Sequence, residues 1–413
     1  MARLAAMRGH TKRAAALAVL TANAVRPLTV PFVRPETTAI PAFAAGWLTG
    51  ELAPQLLLAG LADAAVAVAR RKASPVGVAL AAAATAGLGY LAWRASGTGT
   101  TFKEVLSETV AAADPTAQTE RTSLRTLARP FAMADPRVEV VRDIAYTRGG
   151  VKARLDIYRP HDGADRLENA PVLVQIHGGA WTIGNKEQQG LLLMNRMASH
   201  GWVCISVNYR LAPKYRWPTQ IGDVRNALAW VRDHIGEYGG DPGHIVLTGG
   251  SAGGHLAALA ALTAEPPVAA CVPFYGVYDL AGDDPYAVFI RRFLARRVFT
   301  PDATIEDFRD ASPIEHITPD APDFLVVHGA SDTLVSVRQA RAFVERLREV
   351  SEGSVTYAEL PGAQHAFEIF GSIRAHAAIN AVAQWLEWHH QQGADKAGEK
   401  LRDAEGDSRI SEA

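Results

Sequence analysis

Apolar positions along this chain follow two different patterns. Over roughly the first hundred residues they form long runs of alanine, leucine and valine, broken by few charges. From about residue 136 they shorten into strand-length runs, "VEVVRDIAY", "KARLDIY", "PVLVQIHG", "WVCISVNY", "HIVLTG", "VAACVPFYG", "DFLVVHG" and "SVTYAEL". Between most of the later runs lie helical patterns such as "GDVRNALAWVRDHIGEY" and "VRQARAFVERLREV". Two early strands close together, followed by strand-helix alternation, predict an α/β domain with a mostly parallel sheet flanked by helices. The pattern divides the chain into an apolar helical region (1–95), a linker or cap segment (96–135), an α/β domain (136–390) and a tail (391–413). The tail is charged and poor in aromatics, the composition of a solvated or disordered end.

In the first region, "PVGVALAAAATAGLGYLAW" (75–93) carries no charge and is bracketed by Arg70, Arg71 and Lys72 before it and Arg94 after it. A hydrocarbon core of ~30 Å needs about 20 such residues, so this segment is long enough to span a bilayer. Two earlier segments are weaker. Residues 14–30 contain Asn23 and Arg26, and residues 40–69 contain Glu51 and Asp63; such groups must pair, bend the segment or stay at the interface. If all three cross, Arg3, Arg8, Lys12 and Arg13 share a side with Arg70, Arg71 and Lys72. The positive-inside rule then makes that side cytoplasmic and the large domain extracytoplasmic. Competing expectations are a helical cap on a soluble domain, and a signal peptide cut after Ala22-Asn23-Ala24.

Composition narrows the rest. The 413 residues carry 42 basic and 43 acidic side chains, a net charge of -1, which gives no electrostatic footprint for nucleic acid. Cys204 and Cys271 sit in separate apolar runs with no ligand spacing, so both read as buried core thiols, and no metal site is expected.

The candidate chemistry centres on "HIVLTGGSAGGHLAALAAL" (244–262), where a strand pattern meets a helix pattern across "GGSAG". A G-x-S-x-G turn between strand and helix is the geometry that presents a serine nucleophile, because the crossing leaves room only for small neighbours. No Gly-Lys-Ser/Thr follows, and the G-x-G-x-x-G register is absent, so neither a P-loop nor a dinucleotide turn fits. Ser251 would need a base, an acid to orient the base, and oxyanion donors. "PVLVQIHGGAW" puts Gly178 and Gly179 after a strand, where their N–H groups, with that of Ala252, could supply the donors. In the chain order Ser, acid, His, "DFLVVHGASDTLV" delivers Asp332 and "TYAELPGAQHAF" delivers His365, each just past a strand end. Asp279, Asp283 and Asp284 precede the penultimate strand, and His389 and His390 end the last helix pattern, so they are placed less well. His177, His255 and His328 read as supports for the oxyanion loop, the helix and the Asp332 loop.

With these parts in order, "HGGAW", "VNYRLAPKYRWPTQIGDV", "GGSAGGHLA", "HGASDTLV" and "GAQHAF" make residues 140–390 resemble the hormone-sensitive-lipase-like family of α/β-hydrolases. The resemblance implies a carboxylic-ester hydrolase acting through an acyl-enzyme on small-molecule or lipid esters, with no cofactor. It also implies that "NYRLAP" braces the loop near the oxyanion site. The apolar extension looks like that of membrane-associated actinobacterial lipases and esterases. Two positions depart from the family: Ala180 where a third glycine is common, and Gly250 where an acidic residue is common. "HGGAW" is also similar to the HGGxW of kynurenine formamidases, so an arylformamidase is the alternative, and a non-catalytic binding protein a third reading. The insertion at 280–310, with Phe289, Phe293 and Phe299, fits a lid or plain core packing equally. Acyl length and oligomeric state are left open.

Overall fold

The computed structural model describes residues 2–27, 39–107, 123–161, 167–283 and 285–411. Residues 28–30 of the first apolar segment, 108–122 of the linker, Asp284 and the last two residues of the tail lie outside the described residues.

Six helices precede the sheet: α1 (Ala2–Val25), α2 (Ala39–Glu51), α3 (Ala53–Ala69), α4 (Pro75–Ser96), α5 (Thr98–Ser107) and the single turn α6 (Leu124–Leu127). Eight strands follow, β1 (Val138–Ala145), β2 (Arg154–Pro160), β3 (Ala170–Ile176), β4 (Val203–Val207), β5 (Gly240–Gly250), β6 (Ala270–Phe274), β7 (Asp323–Gly329) and β8 (Val355–Leu360). Each coincides with one of the eight apolar runs. They form one sheet in the order β1-β2-β4-β3-β5-β6-β7-β8, in which β1, β2 and β4 pair antiparallel and the remainder parallel. The central β3 and β4 are buried at every position, which is why they read as unbroken apolar runs.

The intervening helices are α7 (Leu191–Ala198), α8 (Thr219–His234), α9 (Ala252–Leu262), α10 (Pro285–Arg297), α11 (Ile305–Asp310), α12 (Val337–Val350) and α13 (Ile373–Ser411). Alternate residues of β3 serve opposite faces. Val172, Val174 and Ile176 join a core with Ile221, Leu256 and Phe343 of α8, α9 and α12. Leu173 joins a second core with Phe102, Met194 and Trp385 of α5, α7 and α13. The sheet therefore lies between two helical layers. The 280–310 insertion is largely core at its end: Phe299 is buried, stacked on Trp217 and Phe308.

Two expectations differ from the structure. The tail is helical and not irregular: α13 runs on to Ser411, since its Ala, Glu, Lys, Leu and Arg residues all have high helix propensity. Segment 40–69 is not one helix but breaks at Leu52 with a bend of 82°. Pro54, in the first turn of α3, has no N–H to continue α2 but suits a new helix start.

The polar groups of the apolar region are paired. Asn23 donates to the carbonyl of Ala42 (2.8 Å), and Arg13 to Asp63 (2.8 Å). Gly77 of α4 lies beside His10 and Thr11 of α1, and Gly87 lies beside Thr21, so these two helices pack directly and run parallel, while α3 runs antiparallel alongside, with Gly60 at Leu17. Arg8 and Arg13 thus share an end of the bundle with Arg70, Arg71 and Lys72. Among the described residues, the stretch Pro75–Ser107 is long and apolar enough to cross a membrane; α2 and α3 pass that measure only as a bent pair, and α1 does not pass.

The bundle is joined to the sheet domain by a buried ion pair. Glu51 accepts from Arg374 Nε (3.0 Å) and from Ser372 Oγ (2.7 Å), and Arg374 also donates to the carbonyls of Pro361 (3.0 Å) and Gly362 (3.3 Å). Removing one member of such a pair leaves an unpaired buried charge and costs about 3–5 kcal/mol. Glu51→Ala is expected to lower unfolding stability by that order in a denaturant titration of the full chain. An unchanged midpoint would mean that the pair does not hold the two regions together.

Candidate active site

β5 ends at Gly250 and α9 begins at Ala252, so a single residue makes the turn. Ser251 takes φ 59° and ψ −121°, a strained conformation for a residue with a side chain, and is held by its N–H on the carbonyl of Phe274 (3.0 Å). The crossing is as tight as the small residues suggest: a Cβ on Gly253 would overlap the carbonyl oxygen of Ile176 in β3.

Asp332 and His365 come from the loops after β7 and β8. His365 Nδ1 lies 2.7 Å from Asp332 Oδ2, while Asp332 Oδ1 accepts from the N–H groups of Leu334 (2.8 Å) and Val335 (2.7 Å). Burial by itself would raise the carboxyl, but the facing His365 and His328 and the hydrogen bonds outweigh it and bring Asp332 down to about 2. The group is thus an anion across the working pH range. Gln364 Oε1 accepts from both Thr333 N–H (2.7 Å) and His365 N–H (2.9 Å), tying the two loops together. His328 is buried, its Nε2 3.0 Å from the carbonyl of Val335, a support for the Asp332 loop. Asp279 instead receives the N–H groups of Ala281 and Gly282. His389 lies 3.1 Å from Asp323, in the middle of α13.

The loop after β3 turns through three consecutive left-handed residues, Gly179 (φ 112°), Ala180 (φ 51°) and Trp181 (φ 58°). It corrects one expectation. The N–H of Gly178 donates to Gln189 Oε1 (2.6 Å), so it is not available as an oxyanion donor. The N–H groups of Gly179 and Ala180 have no acceptor among the described residues, and that of Ala252 opens α9, where first-turn donors lack intrahelical acceptors. The loop is braced as its motif implies. His177 stacks on Tyr209 (4.2 Å), whose hydroxyl donates to the His177 carbonyl (3.0 Å), and burial pushes His177 down to about 4, leaving it neutral. The N–H of Ala212 donates to Trp181 O (3.0 Å), and Arg210 is clamped by Asp223. His255 is buried, with Nε2 2.7 Å from the Ala311 carbonyl.

Residues 155–347 match the BD-FAE family model. Two Mycobacterium tuberculosis proteins are similar over 260 residues: "Probable carboxylic ester hydrolase LipM", 50% identical, covering 59% of this chain and 60% of its own, and "Esterase LipQ", 44% identical, covering 59% and 61%. The chain spans about three fifths of the length of these relatives. A butyrate-bound esterase from Thermogutta terrifontis superposes with a TM-score of 0.51 at 26% identity, over 61% of this chain and 93% of that one. The domain has the α/β-hydrolase fold.

The departure at Gly250 from the pattern of the resembled family has a structural cause. A Cβ there would stand 2.6 Å from the hydroxyl of Tyr275, which occupies the space of an acidic side chain and donates to Glu368. The Tyr275 ring lies against His365, centroids 4.5 Å apart. Neither Tyr275 nor Glu368 stood out in the sequence; the only signal was the missing acid at position 250. Burial chiefly pushes Glu368 up to about 7, against the hydrogen bond from Tyr275. A carboxyl raised above its unfolded value stabilises the fold fully below that unfolded value, and the contribution is lost as pH rises through about 7. Glu368→Gln is therefore expected to flatten the stability loss, about 3 kcal/mol at most, that the parent shows over this window. Equal slopes in denaturation series for the two proteins would refute the assignment.

Proposed function

We infer that this protein is a serine carboxylic-ester hydrolase of the hormone-sensitive-lipase-like family, with Ser251 as nucleophile, His365 as base and Asp332 as the orienting anion. The reading is supported chiefly by the His365–Asp332 contact of 2.7 Å, together with the positive φ of 59° at Ser251. His365 takes the Ser251 proton as Oγ bonds to the acyl carbon, and the carbonyl π electrons move to oxygen. The N–H groups of Gly179, Ala180 and Ala252 are the donors positioned to receive that oxyanion; one such donor is typically worth about 2.7–4 kcal/mol. The intermediate collapses with loss of the alcohol, which takes its proton from His365. Water, activated by the same histidine, then frees the acid and restores the serine. Asp332 keeps Nδ1 of the imidazole protonated and stabilises the imidazolium. The names of the similar mycobacterial and Thermogutta proteins favour an ester over a formamide.

The helical region is read as the membrane attachment, through residues 14–93. Supporting this are the apolar stretch Pro75–Ser107 and the outward-facing Val19, Leu58, Val68, Val76 and Trp93, each at least 58% exposed. With Arg70, Arg71 and Lys72 ahead of that stretch, the hydrolase domain falls on the extracytoplasmic side.

Hydrolysis of p-nitrophenyl esters by the full chain tests the chemistry. Ser251→Ala is expected to abolish turnover, and Asp332→Asn to lower kcat by about 10⁴-fold with little change in KM, because the histidine loses its tautomeric partner. Full activity in either variant would refute these roles.

A further inference from the structure

The membrane-type bundle reaches the histidine itself. On α2, residues 43, 47 and 51 recur at a spacing of four, which puts them on one helix face, and all three meet the segment from His365 to Arg374. Phe43 stands edge-on to the His365 ring, centroids 6.0 Å apart. Trp47 donates from its indole nitrogen to the carbonyl of Ala366 (2.9 Å), stacks on Phe43 (5.9 Å) and packs on Phe370 (5.3 Å). Glu51 closes the row with its buried bond to Arg374 (3.0 Å). On the same face, one turn before Phe43, Ile40 is open to the outside (62% exposed), and Leu48 (39%) is exposed on the flank of the helix.

Fixing a helix face against this loop matters because His365 must reach both Ser251 and the leaving oxygen. Any group packed on its ring borders the space an ester occupies. Phe43 is only partly buried, so it retains free surface there. At the other end of the bundle contact, Arg94 lies against Gly362 in the same loop, with Tyr90 and Trp93 exposed one turn earlier. Aromatic and basic side chains at the end of an apolar helix mark the level of a membrane interface. The histidine loop thus sits at that level, against α2.

We propose that α2 forms a wall of the substrate site, with Phe43 as a specificity-determining residue, and that the substrate is an amphiphilic ester whose long alkyl chain lies along this helix. The inference rests on the esterase reading above and names the class of ester for it. An alkyl chain running from the ester past Phe43 continues along the same helix face towards the exposed Ile40. Such a substrate is taken from a lipid phase rather than from water.

The test compares p-nitrophenyl acetate with p-nitrophenyl decanoate in full-length protein in detergent, reading the ratio of their kcat/KM values. Phe43→Ala is expected to lower the decanoate-to-acetate ratio roughly tenfold, the size of losing a few methylene contacts. Phe43→Leu, which keeps an apolar side chain on the same face and provides the test should the alanine variant not fold, is expected to lower it in the same direction by less. A ratio within about twofold of the parent in the folded variant overturns the proposal, whatever the absolute rates, because a purely structural hold on His365 would slow both esters alike. A parent that hydrolyses neither ester would instead overturn the esterase reading, and this inference with it. An active parent with an unmoved ratio would overturn this inference alone.

Discussion

Everything at the site hangs on how closely α9 passes β3. The carbonyl oxygen of Ile176 occupies the place of a Cβ on residue 253, so the chain can make this crossing only with glycine there. The crossing in turn compresses the turn between β5 and α9 to one residue and forces Ser251 to a positive φ of 59°. Strain at one residue costs on the order of 1–3 kcal/mol, offset here by the surrounding sheet, whose central strands are wholly buried. The serine is raised at the strand edge because the backbone has nowhere else to go.

Around that point the loops after β3, β7 and β8 bring in charge and dipoles. A buried carboxylate is costly to desolvate, and Asp332 is tolerated because two backbone N–H groups and two histidines face it. The same contacts fix its direction towards His365. On the other side of the imidazole the environment is apolar and aromatic, from Tyr275 and Phe43. The histidine is thus held between an anion that orients it and rings that limit its motion.

Much of this was legible in the sequence for a physical reason. A sheet buried on both faces must be written as short apolar runs, and all eight were visible; the order serine, acid, histidine follows from which strand ends face one edge. What escaped detection depends on contacts between distant residues. Nothing local tells that Gln189 takes the N–H of Gly178, or that Tyr275 fills the room left by Gly250. Likewise the apolar pattern of residues 40–69 shows a hydrophobic segment but not that Glu51 is there to meet Arg374, more than three hundred positions on. The charged tail reads as polar at any level of folding, and only its helix propensity carries it on to Ser411.

The apolar bundle and the α/β domain are therefore one structure, joined through the segment that carries His365. The account stands on the reactivity of a single side chain. Treating the full chain with a fluorophosphonate and mapping the adduct by peptide mass spectrometry measures this directly. The account predicts one modified residue, Ser251, with labelling absent from Ser251→Ala and strongly slowed in Asp332→Asn. No adduct on the folded protein, or an adduct on another residue that persists in Ser251→Ala, would contradict it.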